Sequence, residues 1–156
     1  MSGASENLSL EEAVTHLLEE CRMVLPGVQA LFGFQLIAVF NQNFAERLGA
    51  VEQRLHLAAL MLVAMAGALI MTPAAYHRQT NPRAASSHFL VIAGRLLLVA
   101  MVPLVAGIGL DVYLIARLVL GSSSWAAVLS GALVLFFVSC WFLFPQSVRR
   151  RGPPGR

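Results

Sequence analysis

Charge is scarce in this sequence, and one of its usual carriers is missing. Only 12% of the 156 residues are charged, lysine does not occur, and aspartate occurs once, as Asp111. Soluble domains carry about 25% charged residues, so the composition excludes an ordinary water-facing surface. Cysteine is nearly absent as well. Cys21 and Cys140 lie far apart, each beside or inside an apolar segment and without a second Cys or His at metal-ligand spacing. That excludes a disulfide framework and a zinc site and predicts two reduced, packing thiols. There is no His-Glu cluster, no nucleophile with its base and no phosphate loop, so neither an enzyme nor a bound cofactor is expected. The N-terminus also lacks the positive start of a signal peptide. Glu6, Glu11, Glu12, Glu19 and Glu20 all precede the first basic residue, Arg22, which predicts that the first apolar segment is kept as a helix.

What fills the sequence instead is hydrocarbon: 58% of residues are hydrophobic, and they come in long blocks where a soluble helix would spread them along one stripe. The expected fold is all-α, an integral membrane bundle of four transmembrane helices with a short N-terminal amphipathic helix. The basic residues, all arginine in an Ala, Leu, Val and Gly background, read as a bacterial coding bias. The net charge of +3 is scattered over loops and the C-terminal tail, which speaks against nucleic acid as a partner. The partners expected are the lipid bilayer and either a second copy of the chain or another membrane protein.

Residues 1–8 are polar and expected to be disordered. Ser9-Leu10-Glu11-Glu12 matches a capping box, and Leu10, Val14, Leu17, Leu18 and Cys21 repeat at helical spacing, predicting an acidic amphipathic helix over 9–22. The transmembrane domain, 23–144, divides into spans at about 23–44, 55–76, 88–120 and 125–144. Pro26 suggests a kink or fresh start at the head of the first span, and Pro73 a loosened last turn in the second. The third is longer than the roughly 20 residues a bilayer needs, so it is kinked and tilted or its ends project. Pro145 is expected to close the fourth span, leaving residues 145–156 as a basic tail.

Counting arginines near helix ends orients the chain. With both termini cytoplasmic, the inner side holds Arg22, Arg78, Arg83, Arg149, Arg150, Arg151 and Arg156, and the outer side Arg47, Arg54 and Arg117. Small residues four apart let helix backbones approach in lipid. Ala64 with Ala68, Ala126 with Ser130, and Ala127 with Gly131 qualify as packing surfaces.

Glu-Glu-Cys-Arg at 19–22, Pro-Gly-Val-Gln at 26–29, Thr-Pro-Ala-Ala-Tyr-His-Arg at 72–78 and Gly-Arg at 94–95 together resemble a family of small bacterial membrane proteins, the domain of unknown function numbered six-three-two-eight. The likeness covers about residues 10 to 120. It implies four helices in a bacterial cytoplasmic membrane and brings no activity with it.

Arg95 is the leading candidate for function, because a charge inside a spanning helix is a functional hypothesis by default. It lies about 9 Å along the helix from Phe89. It can also snorkel to the inner headgroups or pair with Glu19 or Glu20 of the amphipathic helix, which would then lie against Arg95, Arg78 and Arg83. Asp111 sits about 24 Å further along the same helix, at the outer boundary, where hydration, Arg54 or His56 can satisfy it. His77 and His88 flank a basic inner loop with Arg78 and Arg83, suited to anionic headgroups, although a His pair also titrates near neutrality. Gln29 and Gln35 point to different faces of the first span and suit hydrogen bonds to neighbouring helices. Two readings follow. One is a non-enzymatic structural or accessory membrane component; the other is a small oligomeric transporter or channel whose pathway is lined by Arg95, Asp111 and Gln29.

Overall fold

The computed structural model of the chain describes residues 2–41, 44–80 and 87–150. They form helices α1 (Ser2–Val39), α2 (Phe44–Arg47), α3 (Ala50–Thr80), α4 (Ser87–Leu120), α5 (Ser123–Val138) and α6 (Phe144–Arg150), with a π-helical turn, Ser139–Leu143, joining the last two. Four stretches among the described residues are long and apolar enough to cross a membrane: Leu10–Val39, Ala50–Gln79, Ser87–Leu120 and Ser123–Ser147. The all-α class with four span-length helices is therefore the one the composition predicts. Arg83, Arg151 and Arg156 lie outside the described residues.

The helix ends near Pro26, Pro73 and Pro145 differ from the sequence expectation, whereas Pro103 lies inside α4 as expected. The helix expected to start at Ser9 begins at Ser2 and runs unbroken through Pro26, so the acidic segment 9–22 and the first span are one rod. Once a helical turn exists, each further residue gains a hydrogen bond for one fixed pair of dihedrals. Pro26 subtracts only its own bond, to the Arg22 carbonyl. Pro73 likewise sits inside α3, fully buried, and the helix continues to Thr80; beside it the Thr72 hydroxyl donates to Ala68 O at 2.8 Å. Pro145 does not close the last helix, because the turn before it is widened. Phe144 N–H donates to Ser139 O, five residues back, and the looser π turn takes up the ring that would otherwise press on the Trp141 carbonyl.

Two connections are fixed by local chemistry. At the head of α3, Glu52 reaches back so that its Oε2 accepts the Gly49 N–H, half of a capping box, while Gln53 Nε2 donates to Leu48 O at 2.8 Å. At the tail of α4, Gly121 adopts φ +64° and its N–H returns to Arg117 O at 2.9 Å. This is the left-handed C-terminal cap that glycine adopts without steric cost.

The chain divides into two compact units, the described residues of Met1–Asn41 with Leu60–Leu104, and those of Gln42–Ala59 with Val105–Arg156. In the first, the buried side chains among the described ones of α1 are Val14, Cys21, Val28 and Gln35, each seven residues after the last. That is the spacing of a helix seam packed in the left-handed, coiled-coil manner. Val14 forms a buried cluster with Phe89 and Ala93, edged by Leu17, Leu18 and Leu90. The acidic segment is thus held to the start of α4 by its apolar face, and Glu19 and Glu20 remain exposed. Tyr76 stacks on Phe89 with ring centroids 5.9 Å apart.

In the second unit small residues do the packing, but only one of the two pairs on α5. Ala126 is fully buried and Ser130 Oγ donates to Gly109 O of α4 at 2.6 Å. Ala127 and Gly131 are exposed, as are Ala64 and Ala68 of the first unit. Both thiols are free and Cys21 is buried, as expected, but Cys140 is exposed on the π turn.

Candidate functional site

Polar chemistry in the second unit gathers where the first turns of α3 face the last turns of α4. There His56 Nδ1 stands 3.6 Å from Asp111 Oδ1. One turn before His56 on α3, Glu52 Oε1 accepts from Arg117 Nη1 at 2.8 Å. Glu52 therefore uses both oxygens, one to cap its own helix and one to fasten α4. Phe44 of α2 closes the group, its ring edge-on to the His56 imidazole with centroids 5.3 Å apart.

The two pairs differ in shielding. The side chains of His56 and Asp111 are 9% and 15% exposed, whereas Arg117 is 39% exposed against 14% for Glu52. Polar attraction grows as water is excluded, so the inner pair has more to lose when broken. Partial charges of the helix ends act in the same sense for the outer pair. Glu52 lies in the first turn of α3 and Arg117 in the last turn of α4, the positions where an acid and a base complement the helix dipole.

His56 is one of the partners the sequence offered for Asp111; Arg54, the other basic one, is exposed. The Glu52 and Arg117 pair was not anticipated. Its signal was available, in an acid three residues after a glycine cap and an arginine closing the next helix, which an antiparallel hairpin brings to one end.

The remaining candidates are not gathered there. Arg95 and Gln29 belong to the first unit and both are exposed. Among the described residues Arg95 makes no ion pair with Glu19 or Glu20; Glu19 lies 3.5 Å from His16 instead. Apolar contacts at Val14, Leu17 and Leu18 set how the acidic segment packs, and they leave these carboxylates facing outward. His77 is half-buried, tilted against Phe89 at 5.6 Å, and Arg78 is exposed. Among the described residues no group of three or more His, Cys, Asp or Glu side chains could hold a metal ion.

No curated protein and no solved structure matches the chain. A family does, over residues 4–145, which takes in all but the first two residues of α1, then α2 to α5, the π turn and both pairs. With its span-length apolar helices and that match, the chain belongs to the family of unknown function DUF6328.

Proposed function

We propose that the chain is a non-enzymatic, multi-pass component of a bacterial cytoplasmic membrane, with both termini cytoplasmic, acting as a structural or accessory partner of other membrane proteins or of further copies of itself. The observation that supports this reading best is the pairing of charges between α3 and α4. Glu52 meets Arg117 and His56 meets Asp111, as fasteners between two helices do. Outward, the chain presents lipid-compatible side chains such as Phe34, Met61, Val119 and Phe136. The span Ser123–Ser147 has only 6% of its most apolar window buried, against 33% for Ser87–Leu120, so α5 offers most of its circumference to lipid or to a partner helix. Photo-crosslinking from an unnatural residue at Leu129 or Leu135 in intact membranes tests this. A discrete crosslinked protein or a self-dimer is expected; crosslinks to lipid alone, with a monomer in mild detergent, would count against an accessory role.

A second reading is favoured by one specific feature. An imidazole and a carboxylate enclosed between apolar helices are the groups that proton relays use. In that reading His56 and Asp111 carry a proton step in a small transporter, with Arg95 and Gln29 outside the group. Flux across reconstituted vesicles separates the two readings.

A further inference from the structure

The first unit holds a cleft of about 540 Å³ between α1 and α3, within the roughly 300–1,000 Å³ of ordinary ligand sites. Its walls are apolar, with Leu18 and Leu25 from α1 facing Ile70 and Met71 from α3, and two cations, Arg22 and Arg78, line it as well. Each arginine lies next to a long apolar stretch: Arg22 precedes residues 23–39, and Arg78 follows residues 55–76. Because both line one cleft, they share one depth. A charge at the end of a spanning stretch belongs at the headgroup level, so the apolar walls lie at the depth of the acyl chains. A mainly apolar cleft that two arginines also line matches one kind of occupant, a hydrocarbon tail bearing a phosphate.

We propose that this cleft is a binding site for one anionic phospholipid, with an acyl chain between α1 and α3 and the headgroup phosphate held by Arg22 and Arg78. Guanidinium groups suit phosphate because their paired N–H donors match two of its oxygens. Ala74 and Ala75, which also line the cleft, keep the furrow open where larger side chains would fill it. The site stands whether the chain is an accessory component or a carrier, since it uses none of the residues of the paired-charge group.

The test is native mass spectrometry of the full chain in dodecyl maltoside, offered equal amounts of palmitoyl-oleoyl phosphatidylglycerol and phosphatidylcholine. An anionic surface attracts each arginine enough for about a fivefold preference, so the wild type should retain phosphatidylglycerol at least that much more than phosphatidylcholine. Excess inorganic phosphate, lacking a tail, should not displace it. The R22Q/R78Q double variant should bind both lipids equally, while R54Q/R95Q, which removes two exposed arginines outside the cleft, should keep the preference. Ala74→Phe should lose both lipids, with Ala75→Phe as its replacement if helix content falls. Equal retention by the wild type, a preference that survives R22Q/R78Q, or an equal loss in R54Q/R95Q would each overturn the proposal. So would a dimer, in place of a lipid adduct, that Ala74→Phe abolishes, for a second copy would then be the occupant.

Discussion

Breaking the inner charge pair should cost more than breaking the outer one, and by an amount that double-mutant cycles can read. His56 and Asp111 are nearly enclosed, so removing one takes a contact from the other where little water can replace it. Loss of a buried partner in water-soluble proteins costs about 3–5 kcal/mol. Polar contacts within membrane helices are worth less, about 0.6 kcal/mol on average and up to about 1.7, because the unfolded chain in lipid finds other partners. The shielded pair belongs near the top of that membrane range, so Asp111→Asn with His56→Gln should show a coupling of about 1–2 kcal/mol. Arg117 is 39% exposed, and an exposed pair screened by solvent contributes about 0.2–1 kcal/mol. Glu52→Gln with Arg117→Gln should therefore couple more weakly. The assay is unfolding in mixed micelles followed by tryptophan fluorescence, since Trp125 and Trp141 both lie in the unit that holds the pairs. Equal couplings, or a larger one for the outer pair, would refute the argument that shielding sets their worth.

Other substitutions test the packing and the turns. A Cβ on Gly109 would stand 2.7 Å from Val134 Cγ2, so Gly109→Ala should destabilise the chain by about 1–3 kcal/mol, as overpacking does, and Val134→Ala should restore most of it in the same micelle assay. Ala126→Leu should be as disruptive and Ala127→Leu nearly silent in thermal unfolding, because only the first is buried. Gly121→Ala, forced to keep φ +64°, should lose about 1–2 kcal/mol, with Gly121→Asn milder. Arg95→Gln should move stability by under about 0.5 kcal/mol, as exposed substitutions do, and a larger loss would mean that Arg95 holds the fold together.

The apolar helices were legible because hydrophobic blocks of span length have few other uses, and so was the seam begun by Val14 and Cys21, which carries on to Val28 and Gln35. The prolines misled. A fresh start at Pro26 and a closed helix at Pro145 follow when only the missing N–H and the ring are weighed, but Pro26 and Pro73 sit inside long helices that absorb one lost bond, and the π turn at Ser139–Leu143 accommodates Pro145. Small-residue spacing marks where helices can approach, not where they do. Ala126 is buried and Ser130 bonds to Gly109, whereas Ala127 with Gly131 is turned outward by one residue's rotation. Asp111 with His56 was one of the pairings an acid at the outer boundary offered. Glu52 with Arg117 was missed because each was weighed alone, as a helix-end charge. Arg95 drew attention as an intramembrane charge, yet its partners depend on how α1 packs, and that is decided by Val14, Leu17 and Leu18, not by the glutamates.

The most direct test of the central claim, that the charges between α3 and α4 fasten helices and carry no ions, is flux in proteoliposomes under imposed proton and sodium gradients. The wild type should show no flux above empty vesicles, and Asp111→Asn and His56→Gln should match it. Flux in the wild type that Asp111→Asn abolishes, with the helices still folded, would contradict the claim and make the pair a transport site.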